Sequence, residues 1–219
     1  MSFFSPILDL LFPPRCVFCH GFLKRGAGPV CDPCARDLPY TRSGGEKHGD
    51  FFSVCVAPLY YEGNVRESLH RYKFHETPGY AGAYGVFVAD CVRERLEGRY
   101  DLITWTPLSR KRLKERGYDQ SKLLAEAVAA LLGATAVKTL EKPKDVAKQS
   151  TAGSAEKRRA NIAGAYRVPD PSPVAGRRVL LIDDIVTTGA TLSECARTLR
   201  AAGAKEVVCA ALAQTWEVD

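Results

Sequence analysis

Residues 179–191, Val-Leu-Leu-Ile-Asp-Asp-Ile-Val-Thr-Thr-Gly-Ala-Thr, constrain the fold more than any other stretch of the chain. The apolar run that ends at Ile182 has the pattern of a parallel strand buried on both faces. Such a strand delivers Asp183 and Asp184 to the carboxyl edge of a sheet, where open α/β sheets bind ligands. Thr187, Thr188, Gly189, Ala190 and Thr191 then form a small-residue turn into a helix. That turn exposes backbone N–H groups and hydroxyls at a helix N-terminus, a cradle for one phosphate, and Gly189 permits close backbone approach. Two carboxylates beside a phosphate cradle repel an anion unless they meet hydroxyls or a cation, so a ribose phosphate with Mg²⁺ fits them. No Gly-Lys-Ser/Thr ending follows, which excludes a Walker-type loop. An incidental acidic end on a buried strand is the bland alternative.

The rest of the chain repeats the same alternation. Residues 3–12 read as a short amphipathic helix, 52–61 as a strand broken late by Pro58, and 63–75 and 80–97 as helices. Residues 101–106 form a buried strand stopped by Pro107. Helices follow near 109–115 and 119–132, the second with Leu124, Val128 and Leu131 on one face. A strand is predicted over 135–140, a mobile polar loop over 141–160, a helix over 190–202 and a last strand over 206–212. This order predicts an α/β fold with a mostly parallel sheet, preceded by a small N-terminal metal-binding segment. The domains are expected at 1–45 and 46–219, joined through a polar, Gly-containing linker at 41–50.

Eight cysteines divide into two kinds. Cys16, Cys19, Cys31 and Cys34 form two Cys-x-x-Cys knuckles that can present four thiolates tetrahedrally to a structural Zn²⁺, with no open position for catalysis. Pro14, Gly21, Gly26, Gly28, Pro29 and Pro33 leave room only for short structure around them. A segment this small has too little core to fold alone, so the metal would supply folding free energy. Disulfides are disfavoured in the cytosol, and a thioredoxin-type pair lacks its βαβ context. Haem attachment at Cys16–His20 would leave the second pair unexplained. Cys55, Cys91, Cys195 and Cys209 lie in apolar segments, as inert core residues do.

Charge is clustered. The chain carries a net +6, yet residues 110–122 alone carry +4 and residues 141–159 carry +3. Two basic segments on an otherwise near-neutral chain point to anion binding, with solvated surface as the bland reading. Arg66, Arg71 and Lys73 on the first long helix divide between solvated face and ligand contact, His70 and His75 lack metal-ligand company, and Trp105 reads as core. The apolar opening carries Asp9 and no Lys or Arg before Arg15, so it lacks a signal-peptide n-region. No run of about 18 apolar residues exists. The expectation is a cytoplasmic protein without a membrane span, its first twelve residues packing on the body, with membrane or partner docking as the alternative.

The stretch 183–191 resembles the phosphoribosyl pyrophosphate (PRPP) loop of type I phosphoribosyltransferases, and more of the chain resembles the ComF family of competence-associated proteins. The matching pieces run in family order: the knuckle at 16–34, Tyr61–Arg66 through Tyr72-Lys-Phe74, Thr106–Ser109 with Arg116–Gln120, then Lys148-Gln149-Ser150, Arg158 and Asn161, and the PRPP loop. The chain departs from the family at Tyr118 and Asp119, where Phe and Asn are usual. The resemblance implies that Asp183 and Asp184 hold the ribose hydroxyls, directly or through Mg²⁺, and that residues 187–191 take the 5′-phosphate. It puts Pro107, Leu108, Ser109 and Arg110 in the place of the pyrophosphate loop and residues 141–160 in that of a hood closing over the sugar. The reaction implied is displacement of pyrophosphate from C1 of PRPP through an oxocarbenium-like state. Purine-salvage relatives often carry an acid where Thr187 stands, and threonine is no general base at neutral pH. Two function classes follow. One is a PRPP-binding phosphoribosyltransferase-like protein with an unassigned acceptor. The other is a non-catalytic accessory protein of DNA uptake, whose partners would be single-stranded DNA and a competence helicase or other uptake protein.

Overall fold

The structure, a computed structural model, describes residues 13–24, 26–74, 77–143 and 163–216. The elements are α1 (Asp32–Asp37), a 3-10 turn (Arg42–Gly44), β1 (Cys55–Val56), β2 (Leu59–Tyr60), α2 (Gly63–Phe74) and α3 (Tyr80–Leu96). They continue with β3 (Leu102–Trp105), α4 (Arg110–Arg116), α5 (Gln120–Leu131), β4 (Arg178–Val186), α6 (Ala190–Ala201) and β5 (Glu206–Gln214). Every strand pairing is parallel, in the order β1-β5-β4-β3, with β2 also on β5. Pro58 breaks the first strand in two: Cys55 pairs with Cys209 and, beyond the break, Tyr60 pairs with Gln214.

The central strands are apolar on both faces because both faces are covered. Leu180 and Ile182 of β4 join Val208, Ala210 and Leu212 of β5 against Leu69, Val92 and Leu124 of α2, α3 and α5. The alternate residues Val179, Leu181, Val207 and Cys209 face Leu192, Cys195 and Leu199 of α6, together with Ala165 and Val174. A strand's two-residue period thus sorts one sequence run into two cores. The knuckle adds to the first core: Val17, Phe18 and Leu38 are buried there, and the Phe18 ring lies 5.9 Å from Tyr84 and 5.6 Å from Phe87.

Three expectations need correction. The stretch 135–140 forms only a single bridge, Ala136 to Ile103, beyond which no further pairing is made. The polar stretch 41–50 is no free linker: Lys47 and Cys55 exchange backbone hydrogen bonds of 2.9 and 2.7 Å, and Gly45 sits against the sheet. A Cβ on Gly45 would fall 2.3 Å from the Gln214 amide and 2.7 Å from the Ala57 carbonyl, so only glycine allows that approach. Finally, β4 runs on to Val186, four residues past Ile182, because β5 continues alongside it as far as Gln214. The helix expected at 3–12 lies outside the described residues. So do most of the loop expected at 141–160, His75, Lys148, Gln149, Ser150, Arg158 and Asn161. At the ends of that loop, Glu141 and Arg167 exchange two backbone hydrogen bonds of 2.9 Å and form an ion pair of 2.9 Å. No described helix is long and apolar enough to cross a membrane.

Candidate functional site

β3 stops at Trp105, which pairs with Ile182, whereas β4 continues under the support of β5. Asp183 and Asp184 are therefore inside β4 but beyond its last β3 partner, and they open onto a cavity of about 350 Å³. Asp183 is buried; its Oδ1 accepts from Ser121 Oγ and from the Asp184 N–H, each at 2.9 Å. Thr106 in turn donates to Ser121 Oγ at 3.3 Å. Burial, and after it the neighbouring Asp184 charge, push the Asp183 carboxyl up to about 6 in spite of those hydrogen bonds. Asp184 is held differently, by an ion pair of 2.9 Å between its Oδ2 and Lys73 Nζ. One acid is desolvated and the other compensated.

The two loops expected to hold phosphate leave adjacent strand ends. After β4, Gly189 adopts φ 72°, ψ 0° and turns the chain into α6, where Ser193 N–H donates to the Gly189 carbonyl at 2.8 Å. Left-handed φ of this kind selects glycine. Thr187 and Thr191 line the acid cavity; Thr188 is exposed, and Ala190 starts the helix. After β3, Pro107 and Leu108 line the same cavity, and buried Ser109 caps α4 by accepting the Arg112 N–H at 3.4 Å. Asp119 fixes this second loop. Its Oδ2 accepts the Leu108 N–H at 3.0 Å while its Oδ1 caps α5 through the Lys122 N–H at 3.1 Å. The charge introduced at the family's Asn position is thus turned onto two backbone donors and does not line the acid cavity. Asp119→Ala should cost about 2 kcal/mol, one cap and one stranded N–H. For a chain of this length that lowers the melting temperature by roughly 4–8 °C, and an unchanged melting curve would refute the latch.

Helical phase decides which cations face the acids. Arg112 and Arg116, four residues apart, share one face of α4 and line the cavity. Arg110 is exposed and lines a separate cavity of about 790 Å³, as does Trp105, itself only 7% exposed and part of the core. Arg110 thus lies outside the acid cavity, whereas Arg112 and Arg116 line it. The Arg116 guanidinium lies 5.0 Å over the Phe74 ring and donates to Gln120 Oε1 at 2.8 Å. Burial presses its pKa down and Asp184 pulls it back. Lys142 Nζ donates to Tyr166 Oη at 3.0 Å on the cavity wall. Lys73, Arg112, Arg116 and Lys142 against two acids leave the cavity net positive, suited to an anion. Sequence reading did not single out Ser121 or Tyr166. Ser121, just inside the α5 cap, could have been suspected as a polar residue on a helix start; Tyr166 gave no signal.

The second centre lies in the knuckle. The Sγ atoms of Cys16, Cys19, Cys31 and Cys34 all lie within 4.8 Å of one another, and Cys19 to Cys31 is 3.7 Å. A tetrahedron with Zn–S bonds of about 2.3 Å requires sulfurs roughly 3.8 Å apart, so these residues fit a structural Zn²⁺. They form the only such group of His, Cys, Asp or Glu among the described residues. Cys55, Cys91, Cys195 and Cys209 are buried, and burial pushes their thiols up, away from reactive thiolate.

Comparison with known proteins finds similarity in both parts of the chain. Residues 121–216 match the family described as phosphoribosyl transferase domain, and residues 7–57 match the double zinc ribbon domain. Competence protein F of Haemophilus influenzae is 27% identical over 214 residues, covering 88% of this chain and 93% of that protein. DNA utilization protein YhgH of Salmonella typhi is 36% identical over 116 residues, which span 52% of this chain and 50% of the relative. A solved structure, that of the allosteric regulatory enzyme of purine biosynthesis, aligns with 64% of this chain and 29% of its own at 20% identity and a TM-score of 0.43.

Proposed function

We propose that the chain is a member of the ComF family, a zinc ribbon joined to a phosphoribosyltransferase domain, and that it binds PRPP together with Mg²⁺. In this reading the zinc segment is residues 1–45 and the phosphoribosyltransferase-like unit is 46–219. The place of action is the cytoplasm, where the knuckle thiols stay reduced. The observation that carries it is the acid pair standing inside a net positive cavity, between two loops that leave neighbouring strand ends. Asp183 and Asp184 receive the ribose hydroxyls, the 187–191 turn the 5′-phosphate, and Pro107, Leu108 and Arg112 the pyrophosphate. Mg²⁺ on the acid pair would neutralise charge between carboxylates and phosphates.

Where turnover occurs, the C1–O bond to pyrophosphate breaks, pyrophosphate leaves with the bonding electrons, and an acceptor atom bonds C1. Arg112 and Arg116 stabilise the leaving charge from fixed positions on the cavity wall. Thr187 supplies no base, so the acceptor must be nucleophilic without losing a proton to that position. This disfavours 6-oxopurines and leaves pyrimidines and amines open. Calorimetric titration with PRPP and Mg²⁺, followed by a product assay on a panel of bases, tests the reading. Heat-silent titration at millimolar PRPP would refute it.

A second reading is favoured by the outward side of α4, where Arg110, Lys111 and Lys114 are exposed, and by the names competence and DNA utilization borne by the relatives. A cationic face of this kind would bind single-stranded DNA, with log affinity falling by about 0.7 per phosphate neutralised for each tenfold rise in salt. The same preparation, titrated with a labelled oligonucleotide at several salt concentrations, separates the two. DNA competed off by PRPP would mean one shared site; binding flattened by neutralising Arg110, Lys111 and Lys114 alone would mean two.

A further inference from the structure

α2 touches the knuckle on one flank and the acid cavity on the other. Ser68 Oγ donates to the Val17 carbonyl, and the Arg71 guanidinium donates to the carbonyls of Val17 at 3.2 Å and Phe18 at 2.5 Å. Both carbonyls belong to the turn between Cys16 and Cys19, so a cation sits beside a centre whose four thiolates leave a net negative charge on bound Zn²⁺. Two residues on, roughly 200° around the helix, Lys73 Nζ reaches Asp184 Oδ2 at 2.9 Å. Between them Tyr72 is fully buried and donates to the Gln120 carbonyl at 2.9 Å, so the helix end cannot drift from α5.

The Lys73–Asp184 pair is itself informative. Its side chains are only 20% and 10% exposed, and a pair so far out of water gains little net stability, because desolvation offsets most of the attraction. Its Lys73 occupies the cationic position next to Asp184 that a ligand-borne divalent ion would need. Lys73 also lines the cavity with Arg112 and Arg116, within the space available to an anionic ligand.

We propose that Lys73 is a ligand-binding residue that holds Asp184 in the empty site and passes its charge to a pyrophosphate oxygen when ligand and divalent ion arrive, and that Arg71, held by the knuckle, positions it. The zinc centre is then part of the binding machinery through one helix, besides being a folding element. The inference rests on the PRPP reading and assigns within it two residues that sequence left undecided.

The full-length chain tests it with four variants: Lys73→Met, Lys73→Gln, Arg71→Met and Arg71→Lys. Three quantities are read: zinc content by elemental analysis, Mn²⁺ affinity without PRPP by electron paramagnetic resonance, and PRPP affinity with Mg²⁺ by calorimetry. Lys73→Met should keep its zinc, bind Mn²⁺ several-fold more tightly because Asp184 is released, and lose PRPP affinity at least tenfold; Lys73→Gln should do the same. Arg71→Met should keep zinc and lose PRPP affinity several-fold, with Arg71→Lys recovering part. A merely structural Lys73 would not strengthen Mn²⁺ binding. If the wild type binds PRPP and both Lys73 variants match it, the proposal is overturned and the PRPP reading stands. If Arg71→Met loses PRPP affinity only in proportion to lost zinc, the positioning role is overturned. A wild type blind to PRPP overturns the reading and this proposal together.

Discussion

Asp183→Asn combined with Asp184→Asn should abolish PRPP binding, and Asp183→Asn alone should do so while making the ligand-free protein more stable at neutral pH. The two effects share one cause. Asp183 is buried, and its carboxyl is pushed up to about 6 by burial and then by Asp184. An acid whose folded pKa is raised holds its proton more tightly folded than unfolded. Stability therefore falls as pH rises from near 4 through 6, and above that the full cost of the buried anion is felt. That cost is on the order of 3 kcal/mol, or roughly 6–12 °C in melting temperature for a chain of this size. Asparagine keeps an oxygen to accept from Ser121 Oγ and from the Asp184 N–H, so both of those donors stay paired. Asp184→Asn behaves otherwise, because it strands the Lys73 ammonium in the cavity wall and removes the stabilising partner. Melting curves of wild type and Asp183→Asn should thus diverge at pH 7.5 and converge at pH 4. PRPP affinity of the wild type should fall as pH drops below 6, where the carboxyl is protonated. Equal PRPP affinity in wild type and double variant would overturn the site assignment. A pH-independent gap between the melting curves would instead remove the buried-anion argument.

What the sequence made legible follows from where local pattern and tertiary demand coincide. Val179–Ile182 and Val207–Leu212 are apolar at every position because helices cover both faces of the sheet, so no alternation was needed to read them. Asp183 and Asp184 read as a strand end because charge normally terminates a buried run. They remain in β4 only because Ala211 and Ala213 of β5 lie alongside, a fact of pairing that no local window contains. The stretch 135–140 has strand composition, yet β3 is a short edge and offers it only Ile103. Asp119 illustrates the opposite failure. Local sequence marks it only as a departure from the family's Asn, and the structure turns its charge onto the Leu108 and Lys122 amides. Helical phase puts Arg112 and Arg116, and not Arg110, on the acid cavity; that phase depends on where α4 begins, which Ser109 sets as its cap. Lys73 could not be assigned from sequence because its partner lies 111 positions away in β4.

Cys34→Ser should reduce zinc from one equivalent per chain to near none and remove most of the soluble yield. Cys16 and Cys34 are the buried ligands, and their neighbours Val17, Phe18 and Leu38 are packed into the core that covers α2, α3 and α5. Burying three such side chains is worth about 5 kcal/mol or more, against a total stability of roughly 5–15 kcal/mol for an ordinary domain. Among the described residues of the segment nothing else can replace the metal as organiser: α1 has six residues, and Arg15–Phe22 forms only a single bridge. A serine oxygen is a poor ligand in this set and leaves three thiolates without a closed tetrahedron. The loss should reach α2, because Ser68 and Arg71 grip the Val17 and Phe18 carbonyls, and PRPP affinity should fall along with zinc. Elemental analysis of protein purified without chelator, with melting curves at matched zinc content, provides the measurement. Wild type without zinc would overturn the metal assignment outright. A Cys34→Ser protein with unchanged melting temperature would show instead that the apolar contacts of Val17, Phe18 and Leu38 hold the knuckle by themselves.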